Sequence, residues 1–300
     1  MTADFVSTIK GTWQGVLGTV MSETVYVLLP VHNRWENTER FLECLKVQTH
    51  PVIRLVVIDD GSTDGTSERL RTRCPDAVLL RGSGDWWWAG ALQRGLAWVE
   101  KEASSDQDII LIMNNDTEFD ADFVACGVRR LGELGRALLM GHSYKGDSGE
   151  LAESGTKVSW TPFKVQLNAP AEEVNALSTR GLFLRVREMR SLGRLRPRLL
   201  PHYWSDYEYT MRAPGLGIHL ATDPRLKLRV DQRTTGFLPP ELAQKSLFAA
   251  LRAIFSNRFI LNPLALGVFV LLACPWRHKA WNLVEIALRT RSYLKNRRRA

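Results

Sequence analysis

The stretch Val25-Tyr-Val-Leu-Leu-Pro-Val-His-Asn-Arg34, with Leu55-Val-Val-Ile-Asp-Asp-Gly-Ser-Thr-Asp64 after it, decides the fold. Each stretch begins as a short apolar run and ends in a polar loop, which predicts a buried strand of a parallel sheet. Because functional loops of such sheets follow the carboxyl ends of the strands, we expect Asn33, Asp59 and Asp60 to share one edge as a nucleotide pocket. The alternative is that residues 60–65 form only a strand-to-helix turn with a capping side chain.

The same alternation of apolar runs and helical patterns continues to about Leu139 and predicts a mostly parallel central sheet flanked by helices. No Gly-x-Gly-x-x-Gly follows the first strand and no Walker motif occurs, which argues against dehydrogenases and P-loop enzymes. The predicted strands are Val25–Leu29, Leu55–Ile58, Ala77–Leu80, Ile109–Met113 and Ala137–Met140. The predicted helices are Thr38–Thr49, Thr66–Arg73, Gly90–Ala103 and Asp120–Leu134.

Three regions follow from the change of composition along the chain. Residues 1–22 are an extension in which apolar side chains recur every four residues, as in a short amphipathic helix. Residues 23–236 form the α/β domain, with short strands and loops expected between Gly141 and Gly181. Residues 237–300 form a basic, apolar helical tail.

The charge and the cysteine content indicate which classes of protein are disfavoured and which cellular compartment is expected. The net charge is +8, and basic residues are dense after Arg180, yet no nucleic-acid-binding motif accompanies them, so we expect no nucleic-acid partner. The four cysteines form no Cys-x-x-Cys pair, which disfavours a metal cage and a disulfide framework. Residues 1–22 lack an apolar core of signal-peptide length. These features predict a cytoplasmic protein.

The apolar segment Phe259–Cys274 leaves two interpretations open. It is short of the ~20 residues that span a bilayer, Pro263 interrupts it, and basic residues flank it. One interpretation is an element lying in the interface of an anionic membrane, peripheral on its inner face. The other is a buried helix of this domain or of a homodimer.

Three further motifs carry candidate chemistry. The apolar run Ile109–Met113 ends in Asn114-Asn115-Asp116, whose oxygens suit a hard divalent cation carrying phosphates, although a solvated Asx turn fits as well. Three adjacent tryptophans, residues 86–88, cannot all face one core, so at least one is expected to line a cleft. Glu208 precedes Arg212 by four residues, a spacing typical of an ion pair on a helix.

Taken together, these ordered motifs over residues 24–236 resemble family 2 glycosyltransferases, which have the GT-A fold. The tripled tryptophan before Ala89-Gly90 resembles the rhamnosyltransferase-like branch of that family. The resemblance implies that the loops after the first two strands hold the base and ribose of a nucleotide sugar. The implied donor-binding residues are Pro30, His32, Asn33, Asp59, Asp60, Trp88, Gly90, Arg94, Asn115 and Arg180.

The resemblance also implies a Mg²⁺ or Mn²⁺ site. Asp116 occupies the position of the last aspartate of the family's Asp-x-Asp-like motif, which binds the ion bridging the diphosphate. Asn114 stands where many members have Asp. Many relatives complete the site with a His after the last strand, and here Asp231 is the candidate second ligand.

On the acceptor side the resemblance implies a general base. Asp206 matches the first acid of the family's Asp-x-Glu-Tyr-x-x-Arg-like motif and is the expected base. Trp204, Glu208 and Arg212 are expected beside it, with Glu208 structural and paired with Arg212. Ser205 stands where common members carry a second acid.

The sequence therefore predicts an inverting, metal-dependent glycosyltransferase of cell-surface polysaccharide synthesis. The expected donor is deoxythymidine-diphosphate rhamnose, with uridine-diphosphate sugars next, and the expected acceptor is a glycan or a polyprenyl-linked glycan. The alternative is a non-catalytic scaffold subunit that binds nucleotide sugars, since Asn114, Ser205 and Asp231 depart from common family patterns. A nucleotidyltransferase would need a Gly-rich loop with a basic residue near the first strand, which is absent.

Overall fold

The fold is that of a computed structural model, which describes residues 23–231 and 247–296. The predicted helix in residues 1–22 and the predicted domain boundary at residue 236 lie outside the described residues. Everything below refers to the two described ranges.

A mixed sheet of nine strands forms the centre, in the order β3-β2-β1-β4-β10-β6-β11-β5 with β7 beside β6. The strands β3, β2, β1 and β4 pair in parallel, and β10 runs antiparallel to both β4 and β6. A separate hairpin is formed by β8 and β9. The strands are β1 (Val25–Val31), β2 (Ile53–Asp59), β3 (Val78–Arg81), β4 (Ile109–Ile112), β5 (Thr117–Phe119), β6 (Ala137–Lys145), β7 (Leu151–Glu153), β8 (Thr156–Trp160), β9 (Phe163–Leu167), β10 (Leu182–Arg185) and β11 (His219–Val230).

Helices cover both faces of the sheet because its strands are apolar on both sides. Along β1, Val25, Val27 and Leu29 pack with the cluster under α1, α2 and α4, whereas Tyr26 and Leu28 pack on the opposite face under α3 and α5. The predicted α/β class with a helix-flanked central sheet is thereby confirmed. The helices are α1 (Trp35–Lys46), α2 (Thr66–Arg73), α3 (Trp87–Glu102), α4 (Phe123–Leu134), α5 (Val186–Leu192), α6 (Ser205–Thr210), α7 (Leu247–Ile254), α8 (Pro263–Ala273) and α9 (Trp276–Asn296).

Three predicted helices begin at a different residue from the expected one, and one of them, α4, begins at Phe123 rather than Asp120. Helix α1 begins at Trp35 rather than Thr38, because the Asp64 carboxylate accepts the Trp35 backbone N–H at 3.0 Å and secures the first turn. Helix α3 begins at Trp87 rather than Gly90, so two of the three tryptophans belong to it.

The C-terminal helices pack on the α/β domain rather than standing apart. Phe269 of α8 lies 5.2 Å from Trp204, ring centre to ring centre, and Arg289 of α9 donates to the Phe163 backbone oxygen at 2.8 Å. Pro263 divides the apolar segment, as the sequence suggested, because α8 begins at this residue. It occupies the first turn of α8, where the Asn262 side chain caps the helix.

Within the described ranges, every helix is too short or too polar to cross a bilayer. The apolar segment is split by the start of α8, and Leu266, Phe269 and Val270 are buried in the cluster beneath Trp204. Helix α8 is therefore packed within the chain, as the second interpretation proposed when it described the segment as a buried helix of this domain.

Two glycines of α4 offer a matched test of the packing. A Cβ added at Gly127 would lie 2.2 Å from the Phe183 ring, whereas one at Gly132 meets nothing within 4 Å. Gly132→Ala should stabilise the fold by about 0.5–1 kcal/mol through helix propensity. Gly127→Ala should destabilise it by about 1–3 kcal/mol through overpacking. Urea denaturation of both variants checks this, and equal shifts of the two midpoints would contradict the packing of α4 on β10.

Candidate functional site

The loops after β1 and β2 are joined by hydrogen bonds at one edge of the sheet. The Asn33 backbone N–H donates to Ser62 Oγ at 2.7 Å, and Asn33 Oδ1 accepts the Thr63 N–H at 2.9 Å. His32 Nδ1 lies 2.6 Å from the Asp60 backbone oxygen. Asn33 can close the turn because it adopts φ of 58°, which Asn tolerates better than most residues. Pro30 lies within β1, one residue before its end.

The two adjacent aspartates face different partners. Asp60 is 6% exposed, and its carboxylate accepts the backbone N–H groups of Gly84 and Trp87, both at 2.9 Å. Asp59 accepts from the Ser62 N–H and from the Ser67 hydroxyl, at the start of α2. Asp60 thus fixes the loop that leads into α3, whereas Asp59 fixes its own turn.

The tryptophan triplet surrounds the centre of this edge. Trp88 Nε1 donates to the Thr179 hydroxyl at 3.2 Å, and Trp88 lines a pocket, as the sequence required of at least one tryptophan. The Arg94 guanidinium lies 3.9 Å from the centre of the Trp86 ring. Gly90 packs against Trp86, since an added Cβ would lie 3.2 Å from the Trp86 Cβ.

The loop after β4 presents oxygen atoms that lack protein donors. Among the described residues, Asn114 Oδ1 and Asp116 Oδ1 are buried and accept no hydrogen bond. Asn115 instead donates to the Thr38 hydroxyl at 3.0 Å. The pairing of β5 with β11 brings Asp231 alongside, because its N–H donates to the Asp116 backbone oxygen at 3.1 Å.

These oxygens fit a hard divalent cation, but the protein donors are few. Asp116 and Asp231 line one pocket of about 570 Å³, and the Asp231 carboxylate also lies 3.7 Å from Arg40. The described residues hold no group of three His, Cys, Asp or Glu side chains suited to a metal. An ion at this edge would therefore take part of its coordination from phosphate oxygens or water.

Arg180 enters the same edge from the turn before β10. The Gly181 N–H donates to the Ile112 backbone oxygen at 2.9 Å, so the turn sits directly at the carboxyl end of β4. Gly181 has φ of 69°, and an added Cβ would lie 2.4 Å from Leu228. Arg180 Nε is buried and donates to no acceptor among the described residues. This Nε–H group is therefore available to an anion.

Helix α6 delivers two acids with different surroundings. Glu208 is 4% exposed and accepts from Arg212 Nε at 3.1 Å and from Arg196 at 2.8 Å. Asp206 is half-buried and, within the described ranges, its carboxylate accepts from local backbone N–H groups, that of Tyr207 at 2.9 Å. Glu208 is thus a paired structural acid, with the ion pair to Arg212 that the spacing predicts. Asp206 faces the pocket.

A residue that sequence reasoning missed, Glu153, shares the Asp206 pocket. The pocket has a volume of about 260 Å³ and also contains Trp88, Asn114 and Arg180. Glu153 ends β7, which pairs with β6 opposite Ser143. In the sequence Glu153 is only an acid before Ser154-Gly155, and no spacing of residues there indicates that it shares a pocket with Asp206. A larger groove of about 620 Å³ lies at the amino ends of β2 and β3, remote from these acids.

The charges in this pocket raise the affinity of Asp206 for a proton. Burial, reinforced by the nearby Glu153 carboxylate, raises the pKa of Asp206 to about 6, against the opposing effect of Arg180. Burial also raises the pKa of Glu153. Desolvation and the nearby Arg258 lower the pKa of His202 to about 4, so that this pocket residue is neutral at neutral pH. Asp206 is therefore poised to exchange a proton near neutral pH.

Trp204, expected on the acceptor side, points away from the pocket. Its indole Nε1 donates to the Ile260 backbone oxygen at 2.8 Å, and its ring is 8% exposed within the cluster of α8. Trp204 adopts φ of 72° and directly precedes α6. Its position couples the Asp206 helix to the C-terminal helices.

Comparison with known proteins assigns the family. A family model described as "Glycosyl transferase family 2" matches residues 26–189. This is more than half of the chain, which therefore belongs to glycosyl transferase family 2. The rhamnosyltransferase-like branch is not distinguished by this match.

Solved structures with the same fold include sugar-nucleotide complexes. TarS 1-349 of S. aureus in complex with UDP-GlcNAc has 14% identity and a TM-score of 0.58, over 92% of this chain and 92% of that one. The mannosyltransferase PcManGT from Pyrobaculum calidifontis in complex with GDP-Man and Mn²⁺ has 16% identity and a TM-score of 0.53, over 96% of this chain and 89% of that one. At these identities the likeness establishes the GT-A fold.

Substitutions on either side of Asp206 should move its pKa in opposite directions. Glu153→Gln removes a like charge, so the pKa of Asp206 should fall by about one unit. Arg180→Gln removes an opposite charge, so the pKa should rise by a similar amount. Carbon-13 NMR titration of the aspartate carboxyl carbons, assigned with Asp206→Asn, measures both. Shifts of the same sign in the two variants would contradict the shared pocket.

Proposed function

We propose that the chain is an inverting glycosyltransferase that uses Asp206 as the general base. The donor is a nucleotide-diphosphate sugar, and the acceptor is a hydroxyl of a glycan or of a polyprenyl-linked glycan in cell-surface polysaccharide synthesis. Family membership supports glycosyl transfer from a nucleotide sugar as the reaction class.

The observation that carries the proposal is the contrast between the two acids of α6. Glu208 is saturated by Arg196 and Arg212, whereas Asp206 faces a pocket with a pKa of about 6. A base with this pKa is deprotonated at neutral pH, and it still binds a proton well enough to help a hydroxyl attack.

In the proposed reaction, the acceptor hydroxyl attacks the anomeric carbon from the side of α6. Asp206 takes the hydroxyl proton as the new carbon–oxygen bond forms and the bond to the diphosphate breaks. Arg180, whose Nε is buried without an acceptor, is placed to bind a phosphate oxygen. The activity should decline as the pH falls through about 6, because protonated Asp206 cannot accept the proton.

Asp116 would hold a divalent cation, with Asn114 and Asp231 as further oxygen donors. A Mg²⁺ or Mn²⁺ ion bound there neutralises charge on the departing diphosphate. The buried, unpartnered oxygens of Asn114 and Asp116 support this assignment. The small number of acidic side chains implies that binding of the ion and of the diphosphate is mutually dependent.

The donor end of the cleft is assigned to the loops after β1 and β2. His32, Asn33 and Asp60 border the space for the base and ribose, and Asp59 stabilises the turn behind them. Thymidine-diphosphate rhamnose remains the favoured donor, with uridine-diphosphate sugars next. A 6-deoxy sugar presents a methyl group, and the Trp86 to Trp88 segment offers apolar ring faces around it.

A non-catalytic nucleotide-sugar-binding scaffold is the second candidate. The scarcity of metal-binding side chains in the described residues favours it. The Asp206 pocket argues against it. Burial raises the pKa values of both Asp206 and Glu153, so keeping the two carboxylates together costs free energy of folding. Binding a nucleotide sugar does not require a proton acceptor at Asp206, whereas catalysis does.

Two isosteric variants separate the roles of the acids. Asp206→Asn should lower the transfer rate about 10²–10⁴-fold, because it removes the proton acceptor and keeps the shape. Its melting temperature should not fall. Glu208→Gln should lower the melting temperature, since it leaves Arg196 and Arg212 without their carboxylate, and it should cost less activity. The transfer rate at saturating acceptor and the melting temperature, measured for both variants, distinguish the two roles. Full activity of Asp206→Asn would refute the mechanism.

A further inference from the structure

One face of helix α9 is built unlike the rest of the surface. Arg277, Trp281, Val284, Leu288, Arg291 and Lys295 follow one another at spacings of four and three residues, and all six side chains are exposed. We call these six residues the α9 outer face. The opposite side of the helix is buried, where Asn282 is 0% and Ile286 5% exposed. The outer face is therefore a true surface of the packed chain.

The middle of the α9 outer face is apolar to an unusual degree. Trp281 is 66%, Val284 55% and Leu288 58% exposed, and the neighbouring Trp276 is 85% exposed. Single exposed apolar residues are ordinary, but three of them on one helix face form an apolar strip that costs free energy in water unless something covers it.

The charge around this strip has one sign. Residues 247–296 contain seven Lys and Arg side chains and one acid, Glu285. Glu285 pairs with Arg289, away from the outer face. The cations Arg277, Arg291 and Lys295 stand at the two ends of the strip and leave its middle apolar. A surface that covers the strip should therefore carry negative charge and have an apolar layer beneath the charged groups.

From this we propose that the α9 outer face docks the protein on the surface of an anionic phospholipid membrane. Indole rings and aliphatic side chains enter the boundary between headgroups and acyl chains, while Lys and Arg reach the phosphates. A second copy of the chain is disfavoured, since it would oppose two positively charged faces. Nucleic acid would contact the cations but gives the aliphatic strip no partner.

The α9 outer face is connected through α8 to the helix that carries Asp206, since α9 packs on α8. Helix α8 packs on Trp204, two residues before Asp206, and Arg258 lies close enough to His202 of the pocket to affect its pKa. The C-terminal helices and α6 thus pack together, so docking through α9 would hold the Asp206 helix near the membrane. The docking inference itself does not depend on glycosyl transfer, because it rests on the surface alone.

Vesicle partition of the full chain tests the proposal without any sugar donor. Vesicles of phosphatidylcholine with roughly 30% phosphatidylglycerol are compared with phosphatidylcholine alone by co-sedimentation. The intact chain should bind the anionic vesicles and lose affinity as salt is raised. Trp281→Ser/Leu288→Ser should lower the partition coefficient at least tenfold. Arg291→Gln/Lys295→Gln should lower it roughly 25-fold, about fivefold for each cation.

The matched control is Val47→Ser/Val52→Ser, which removes two exposed apolar side chains at the far end of the sheet, 58% and 39% exposed. This variant should bind like the intact chain. Equal binding by Trp281→Ser/Leu288→Ser, or equal binding to neutral vesicles, would overturn the proposal. The proposal would also be overturned if the intact chain bound no vesicles and Trp281→Ser/Leu288→Ser instead lowered a dimer mass in light scattering or the affinity for a polyuridine oligonucleotide.

Discussion

The placement of β1 between β2 and β4 is the constraint on which the site depends. Val31 of β1 is in register with Asp59 of β2, and Leu28 is in register with Ile112 of β4. Because the three strands are parallel, their carboxyl ends meet at one edge, and the polar loops after them must lie together. Burial of β1 on both faces holds this register, since a slip by one residue would move every side chain of β1 from one core into the other and disturb the packing of both.

The remaining polar groups are brought to that edge by other strands of the sheet. Antiparallel β10 places Arg180 next to the end of β4, and the pairing of β11 with β5 places Asp231 beside Asp116. Glu153 arrives through β7, at the far side of β6. The Asp206 pocket therefore collects charged side chains from three separate segments, those of Glu153, Arg180 and Asp206. Burial, reinforced by Glu153 and opposed by Arg180, raises the pKa of Asp206 to about 6.

The sequence was sufficient for elements whose signals are local. The apolar runs of β1, β2 and β4 predict their burial, and the four-residue spacing of Glu208 and Arg212 predicts their ion pair. It was insufficient where contacts are long-range. Glu153 is in the Asp206 pocket only because β7 pairs with β6, and Trp204 turns toward α8 rather than the pocket. The sequence drew attention to the apolar segment 259–274 as a candidate membrane contact, whereas the exposed apolar strip with flanking cations lies on α9.

The central claim is that the edge formed by β1, β2 and β4 binds a nucleotide diphosphate together with a divalent ion. Calorimetric titration of uridine, thymidine and guanosine diphosphates, with and without Mn²⁺, tests it most directly. The account predicts that one of them binds at least tenfold more tightly with Mn²⁺, and that Asp116→Ala removes this gain while the residual affinity persists. Asp60→Ala should weaken binding in both conditions. Affinity independent of Mn²⁺, or unchanged in Asp116→Ala, would contradict the account.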